Sequence, residues 1–511
     1  MILHTSDDLA RFMENARDKG LKERFIAKQL HEYIESDNDA KVMSLYGLRR
    51  TGKTVMMLQQ IRQLDSYENT LLIECEKGDT LYIIRQAISE HPACKYIFID
   101  EITRASEFIG ACSFLADEYA VSGKKVVLSG TDSLGFLFAQ SEELYDRTHL
   151  LHTTYIPYAE YKYLLGRDLM SYIEYGGTLT DGEMFYNSDR LRVYSNTAIV
   201  FNIENSLKNL RQGRSNGYML LHDIIEQGEL PTAVNKVLEL DNRRFLASII
   251  NKDFHSHDLG SLAELMTKHG EDISKINTDE MSERIRAFLS IKKYPLYQLT
   301  EEQTETLIEF LKAADVLYQI PDTNEYIFTQ TGMRYCQATE MVQALLTSDE
   351  LSECSESQKY DISKKLKEDI CGRILENIVF HSIAVNLSDD CRIKKYSSIN
   401  GKEIDAVISN LASKTSTLIE VKLSDKQSKE QVKHLTDKEF CNEIEKKTGT
   451  KIINRVVIYN GTSGTNDGIV YLGAEQFLCN TEQYTKQFET VSLLGQQKKK
   501  PRTPQQHTRK K

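Results

Sequence analysis

The stretch GLRRTGKT, residues 47–54, decides the fold. It fits the pattern GxxxxGK[ST], and each fixed position has a physical task. Gly47 and Gly52 free the backbone for turns that bring successive N–H groups, those of Arg50 and Thr51 included, around phosphate oxygens. Lys53 reaches the same oxygens as a point charge, and the hydroxyl of Thr54 is placed to ligate Mg²⁺. The run before it, KVMSLYG (41–47), is short and apolar, and VMMLQQIRQL (55–64) after it reads as helix. A helix starting there turns its positive end toward a bound anion. The expected ligand is ATP with Mg²⁺.

Working outward, strand-like and helical runs alternate. TLLIEC (70–75) precedes a helix near 79–90, YIFIDE (96–101) precedes a helix around 107–121, and KKVVLSG (124–130) follows. Strands separated by helices of this length form a parallel sheet, and strands buried on both faces are continuously apolar, as YIFI and VVL are. Asp100 ends its strand where it can hold the Mg²⁺ shell, and Glu101 follows where a general base polarises the attacking water. In KKVVLSGTDS, Ser129, Thr131 and Asp132 are candidates to sense the γ-phosphate, with Thr131 preferred. Arg147, in YDRTH, is a candidate transition-state arginine from its own or a neighbouring subunit, and equally an ordinary surface arginine.

Residues 6–36 read as helix, and from about 155 to 350 the chain is mostly helical. Within it, 307–335 runs helix, strand, turn at Pro321-Asp322, strand, helix, an order that resembles a winged-helix module. SDELSECSESQKYD (348–361) reads as a polar linker. The resulting organisation is a helical leader (1–40), a P-loop core (41–165), a helical middle region (166–350) with the winged-helix-like part near 300–336, a C-terminal domain (362–480) and a basic tail (490–511).

The C-terminal region holds a second constellation. RILENIVFHSIA (373–384) places Glu376 in a helix, and GKEIDAVIS (401–409) and TLIEVKL (417–423) read as strands. Residues two apart on a strand share a face, so Glu403 projects with Asp405, and Glu420 with Lys422. If these strands are neighbours, Asp405, Glu420 and Lys422 converge. Carboxylates so arranged bind Mg²⁺, which with Lys422 would orient a water for phosphodiester attack. Gln431 and Lys433 lie on the next helix, as phosphate contacts or as a solvated face.

GLRRTGKT, YIFIDEI, VVLSGTDS and IPYAEYKYLL (156–165) together resemble a prokaryotic branch of AAA+-type P-loop ATPases. That branch carries the last segment as an aromatic-rich helix and typically ends in a nuclease-like domain. Glu376, Asp405, Glu420 and Lys422 resemble the PD-(D/E)XK nuclease motif, with Ile404 standing where proline is usual. The resemblance implies an α/β chain: a parallel-sheet P-loop NTPase core, a mostly helical middle and a C-terminal α/β nuclease-like domain. It implies ATP hydrolysis coupled to a Mg²⁺-dependent nuclease or nucleic-acid-binding domain.

Composition limits the alternatives. Of 511 residues, 75 are acidic and 64 basic, a net charge of −11. KKKPRTPQQHTRKK (498–511) holds seven of the basic residues, so the body carries 75 acids against 57 bases, or −18. Any contact with DNA or other nucleic acid is therefore local. No basic start leads into an apolar run, and no stretch of about eighteen apolar residues occurs, so no signal peptide or membrane span is expected. Nine cysteines without a CxxC pair fit reduced thiols in the cytoplasm. Two other readings compete with a nuclease-coupled ATPase. One is an assembly or signalling switch, a nucleotide-dependent homo-oligomer whose C-terminal domain only binds. The other, a winged-helix DNA regulator, is disfavoured because 302–314 is not a basic recognition helix.

Overall fold

The computed structural model describes residues 1–37, 40–64, 67–105, 113–131, 146–179, 188–210, 216–253, 288, 299–352, 354–398, 401–490 and 493. The chain divides into two units, Met1–Gln319 with Glu325–Ile370, and Ile320–Asn324 with Cys371–Lys511.

The first unit is built on a six-stranded sheet, in the order β1 (Ile2–Thr5), β3 (Thr70–Glu74), β4 (Tyr96–Asp100), β5 (Lys125–Gly130), β2 (Val42–Tyr46), β6 (Thr148–His152). All neighbours are parallel except β1, which pairs antiparallel with β3. The apolar runs alternate between two cores with the strand period of two. Ile97, Ile99, Val126 and Leu128 fill one face, and Phe98 and Val127 fill the other. The helices α1 (Ser6–Glu14), α2 (Ala27–Glu35), α3 (Lys53–Arg62) and α4 (Leu81–Ser89) belong to this unit.

The expected helix over 6–36 is two helices, with residues 15–26 between them. α1 ends at Glu14 with Asn15 as its cap, and Gly20, at φ +76°, turns the chain between the two helices. Leu115–Ala120, within the helix expected around 107–121, wind as a π-helix, and 106–112 lie outside the described residues. α5 (Tyr158–Leu165) is the IPYAEYKYLL helix.

Beyond α5 the unit is helical around one apolar core, which includes Leu48 of the phosphate loop beside Leu191, Tyr194 and Ile203. The helix Glu301–Ala313 begins at a capping box between Thr300 and Gln303. A two-strand hairpin, β7 (Leu317–Gln319) with β8 (Tyr326–Phe328), and the helix Thr331–Leu346 follow it. The expected polar linker at 348–361 is instead largely structured. Asp349–Leu351 form a 3₁₀ turn, and a helix runs Glu356–Ala384. Its start is a reciprocal cap that SESQ encodes: Gln358 N donates to Ser355 Oγ, and Ser355 N donates to Gln358 Oε1.

The second unit carries a six-stranded sheet ordered β13 (Gly464–Asn466), β14 (Ile469–Gly473), β12 (Lys451–Tyr459), β11 (Thr415–Lys422), β10 (Glu403–Asn410), β9 (Cys391–Ser397). β9, β10 and β11 form an antiparallel meander, and β11, β12 and β14 are parallel. Among the described residues, no helix is long and apolar enough to cross a membrane. No disulfide joins the described cysteines.

Candidate functional site

The parallel strands end at one edge, and the phosphate loop leaves β2 there. Gly47 has φ +139° and Gly52 φ +95°, both in the region that favours glycine. A Cβ on Gly47 would collide with the Thr153 carbonyl oxygen, and one on Gly52 would stand 2.8 Å from Leu179 Cδ1. Arg50 is also left-handed, at φ +66°. Thr51 is buried, its hydroxyl donating to Leu48 O (2.8 Å) and bonding the Thr153 hydroxyl (2.9 Å). Lys53 and Thr54 open α3. Lys53 is buried, and its ammonium donates to Gly47 O (2.7 Å) and Leu48 O (2.8 Å). Burial holds it down to about 8, against the opposing pull of Glu101 and Asp100.

β5 lies between β2 and β4, so its last residues stand between the loop and the acidic pair. The Ser129 hydroxyl donates to Asp100 Oδ1 and accepts from Glu101 N at 3.2 Å. Thr131 donates to Glu101 Oε2 at 3.4 Å. Glu101 sits at φ +54°, a strained backbone of the kind that clusters at functional sites. The structure thus brings Lys53, Asp100, Glu101, Ser129 and Thr131 to one edge; Asp132 lies outside the described residues.

Arg147 is not brought there. β6 runs parallel to β2, so Arg147, just before β6, lies beside the start of β2, its carbonyl accepting from Val42 N. The loop leaves the other end of β2, about 16 Å away at a strand's rise per residue. Arg147 instead pairs with Asp117 at 2.8 Å.

The sequence reading missed other cations near this edge. Arg17 Nη2 lies 4.0 Å from Asp100 Oδ2, and Arg104 Nε lies 3.8 Å from Glu101 Oε2. Arg24 is buried and forks both oxygens of Glu160, at 3.0 and 2.7 Å. One signal for that pair was in the sequence. Glu160 lies between Tyr158 and Tyr161, and a charge within a buried aromatic stripe requires a partner.

In the second unit, Asp405 sits where the β9–β10 register shifts between Ile404 and Val407, a bulge. Asp405 Oδ2 accepts from Val421 N at 2.7 Å and from Lys422 Nζ at 3.4 Å. The same ammonium lies 2.8 Å from Glu420 Oε2. Glu420 Oε1 is buried and has no hydrogen-bond partner among the described residues, and it is a hard-oxygen donor of the kind Mg²⁺ takes. Burial raises Glu420 well above the usual carboxylate range, and Asp405 adds to this while Lys422 opposes it. Burial alone would lower Lys422, but Asp405, Glu420 and Glu376 outweigh it and hold the ammonium charged.

Glu376 and Glu403 share a different cation, Arg373, at 2.5 and 3.7 Å. Among the described residues, no group of three or more His, Cys, Asp or Glu side chains is placed to hold a metal ion. Asp405 and Glu420 therefore form a two-carboxylate set, a number that suits Mg²⁺ when water and phosphate complete its shell. Gln431 is buried and braces its own loop, donating to Ser424 Oγ at 2.6 Å and Lys426 O at 2.8 Å. Lys433 opens the short helix that follows.

Residues 39–162 match the family described as AAA domain, and residues 371–477 match the domain of unknown function DUF4143. Comparison with curated proteins finds no match. Among solved structures, AMPPCP-bound DnaA from Aquifex aeolicus aligns at 12% identity and TM-score 0.24, over 57% of this chain and 86% of that one. The Aeropyrum pernix ORC1 protein in complex with DNA aligns at 13% identity and TM-score 0.23, over 67% of this chain and 99% of that one. Superpositions this loose carry no argument. The AAA domain match and the loop agree: the first unit contains an AAA-type P-loop ATPase domain, which binds ATP.

Proposed function

We propose that this chain couples ATP turnover in its AAA-type domain to a Mg²⁺-dependent, nuclease-like site in its C-terminal unit. In the first unit, the loop N–H groups and Lys53 hold the phosphates, Thr54 and Asp100 would supply the oxygen ligands for Mg²⁺, and Thr131 reads the γ-phosphate. Glu101 takes a proton from the water that attacks the γ-phosphorus, and the bond to the β,γ-bridging oxygen breaks, leaving ADP and phosphate. Lys53→Ala should abolish nucleotide binding. Glu101→Gln should bind ATP and fail to turn it over, and normal turnover by that variant would remove Glu101 from the role of base.

The observation that carries the C-terminal reading is the shared ammonium of Lys422, 3.4 Å from Asp405 and 2.8 Å from Glu420 on neighbouring strands. Support comes from the order of helix, three-strand meander, helix and parallel strand around it. Asp405 and Glu420 would hold Mg²⁺, which when bound supplies positive charge to a scissile phosphodiester. Lys422 orients the attacking water or a phosphate oxygen. The test is cleavage of plasmid DNA and of RNA with Mg²⁺, with and without ATP, by wild type, Lys422→Ala and Lys53→Ala. We expect cleavage by wild type, none by Lys422→Ala, and loss of the ATP response in Lys53→Ala. Equal cleavage by wild type and Lys422→Ala, or none by wild type, overturns the nuclease part.

One observation favours a second reading, an ATP-controlled assembly switch whose C-terminal unit only binds. Lys422 already pairs with Asp405 and Glu420, and Arg373 with Glu376 and Glu403, so each candidate carboxylate has a protein cation beside it. This reading expects the mass in solution to differ between ATP and ADP, with nucleic acid bound but uncut. Light scattering with ATP, ADP and neither, with and without DNA, separates the two.

A further inference from the structure

Three consecutive carbonyls of the phosphate loop are tied to donors that the loop motif does not contain. Arg49 O accepts from the Tyr194 hydroxyl at 3.3 Å, Arg50 O from Leu179 N at 3.1 Å, and Thr51 O from Arg24 Nη1 at 2.7 Å. In a planar trans peptide, the N–H of the next residue points opposite to the carbonyl. Anchoring these oxygens outward therefore aims the N–H groups of Arg50, Thr51 and Gly52 the other way, into the concave side where a phosphate sits.

The anchor on Thr51 is the strongest of the three. Arg24 is 4% exposed and Glu160 is 2% exposed, so the pair is desolvated and geometrically fixed. Nε and Nη2 consume both carboxylate oxygens, and Glu160 Oε1 also accepts from Phe25 N at 2.7 Å. Nη1 is left to the backbone, on Thr51 O and on Thr154 O at 3.2 Å. A planar guanidinium with both edges engaged cannot rotate without breaking all of these bonds. The Arg24 stem also packs against Gly52, whose added Cβ would stand 3.1 Å from Arg24 Cδ.

We infer that Arg24, fixed by Glu160, is a positioning residue for ATP binding: with Tyr194 and the Leu179 N–H, it holds the loop carbonyls outward so that the loop N–H groups face the phosphates. This rests on reading residues 47–54 as the ATP phosphate loop. Neither residue touches the nucleotide in this account, so the effect belongs to loop geometry and not to the charge of Arg24.

The test uses the full chain and MgATP titrated by calorimetry, with melting of the nucleotide-free protein as the fold readout. Arg24→Lys keeps the charge and the pairing with Glu160, but one nitrogen cannot fork the carboxylate and hold Thr51 O together. We expect a melting temperature close to wild type, a Kd for MgATP raised about tenfold, and KM raised with little change in kcat. An Arg24→Lys chain that binds MgATP as tightly as wild type overturns the inference. Should that variant fail to fold, Tyr194→Phe decides, since it removes one hydroxyl from one loop anchor. A Kd raised about threefold supports outward anchoring, and an unchanged Kd overturns it. A wild-type chain that binds no MgATP overturns the phosphate-loop reading itself.

Discussion

Ser129 donates its hydroxyl to Asp100 from the neighbouring strand, and the same oxygen accepts the backbone N–H of Glu101. One side chain thus orients both the proposed Mg²⁺ ligand and the backbone beneath the proposed base. Ser129→Ala should loosen Asp100 and leave the Glu101 N–H with one of its two acceptors, Asp100 Oδ1 at 3.1 Å. Binding depends mainly on the loop and Lys53, so the Kd for MgATP should stay within about threefold of wild type. Turnover should fall about tenfold or more, because the geometry lost is that of the transition state. Phosphate release measured beside nucleotide titration checks this, and wild-type turnover would contradict it.

Lys53 gives the nucleotide site a pH dependence. Burial leaves its ammonium with a pKa of about 8, and phosphate binding requires the charged form. Below that value the free protein already carries the proton. Above it the complex must take one up, so affinity should weaken by about tenfold for each further pH unit. MgATP titrated at pH 7, 8 and 9 should show a nearly flat lower half and a falling upper half. A Kd that is constant across this range would show that Lys53 keeps its proton in the free protein.

Much of the phosphate-binding edge was legible because its chemistry is local. A glycine-rich turn between an apolar strand and a helix can be read within eight residues, and so can an apolar strand ending in Asp100-Glu101. One source of failure is that sequence spacing does not report strand direction or register. Arg147 fits the reading of a transition-state arginine for its own subunit until β6 is seen to run parallel to β2, which puts its first residue at the far end from the loop; that geometry does not bear on its action in a neighbouring subunit. Arg24 lay within a stretch read as helix from its apolar spacing, whereas it stands in the connection between α1, which ends at Glu14, and α2, which begins at Ala27. In the second unit, Asp405, Glu420 and Lys422 come together as expected. Glu376 is drawn toward Arg373, a partner that lies one helical turn before it and was legible in RILE.

Glu420 should make metal binding in the second unit depend on pH. Its pKa is raised well above the ordinary 4.5 by burial and by Asp405, yet a carboxylate must be ionised to ligate Mg²⁺. Mg²⁺ affinity, titrated without nucleotide, should therefore climb as pH rises above the usual carboxylate range. Glu420→Gln removes the titrating group, so both the binding and its pH slope should be lost. Binding by wild type that is independent of pH, or that survives Glu420→Gln, would place the metal elsewhere.

His381 sets a limit on acid stability. It is buried on the helix Glu356–Ala384, and burial alone lowers its imidazole from 6.5 to about 4. The unfolded chain takes up a proton near pH 6.5, while the folded chain resists until about pH 4. The neutral imidazole thus costs nothing above pH 6.5, and stability is lost as pH falls from there toward 4. A difference of this size corresponds to on the order of 3 kcal/mol. Urea unfolding at pH 7 and at pH 4.5, compared between wild type and His381→Leu, isolates this contribution from that of the acidic residues. The leucine variant should lose less stability over the interval by most of that amount, and parallel losses in the two proteins would mean that His381 titrates alike in the folded and unfolded chain.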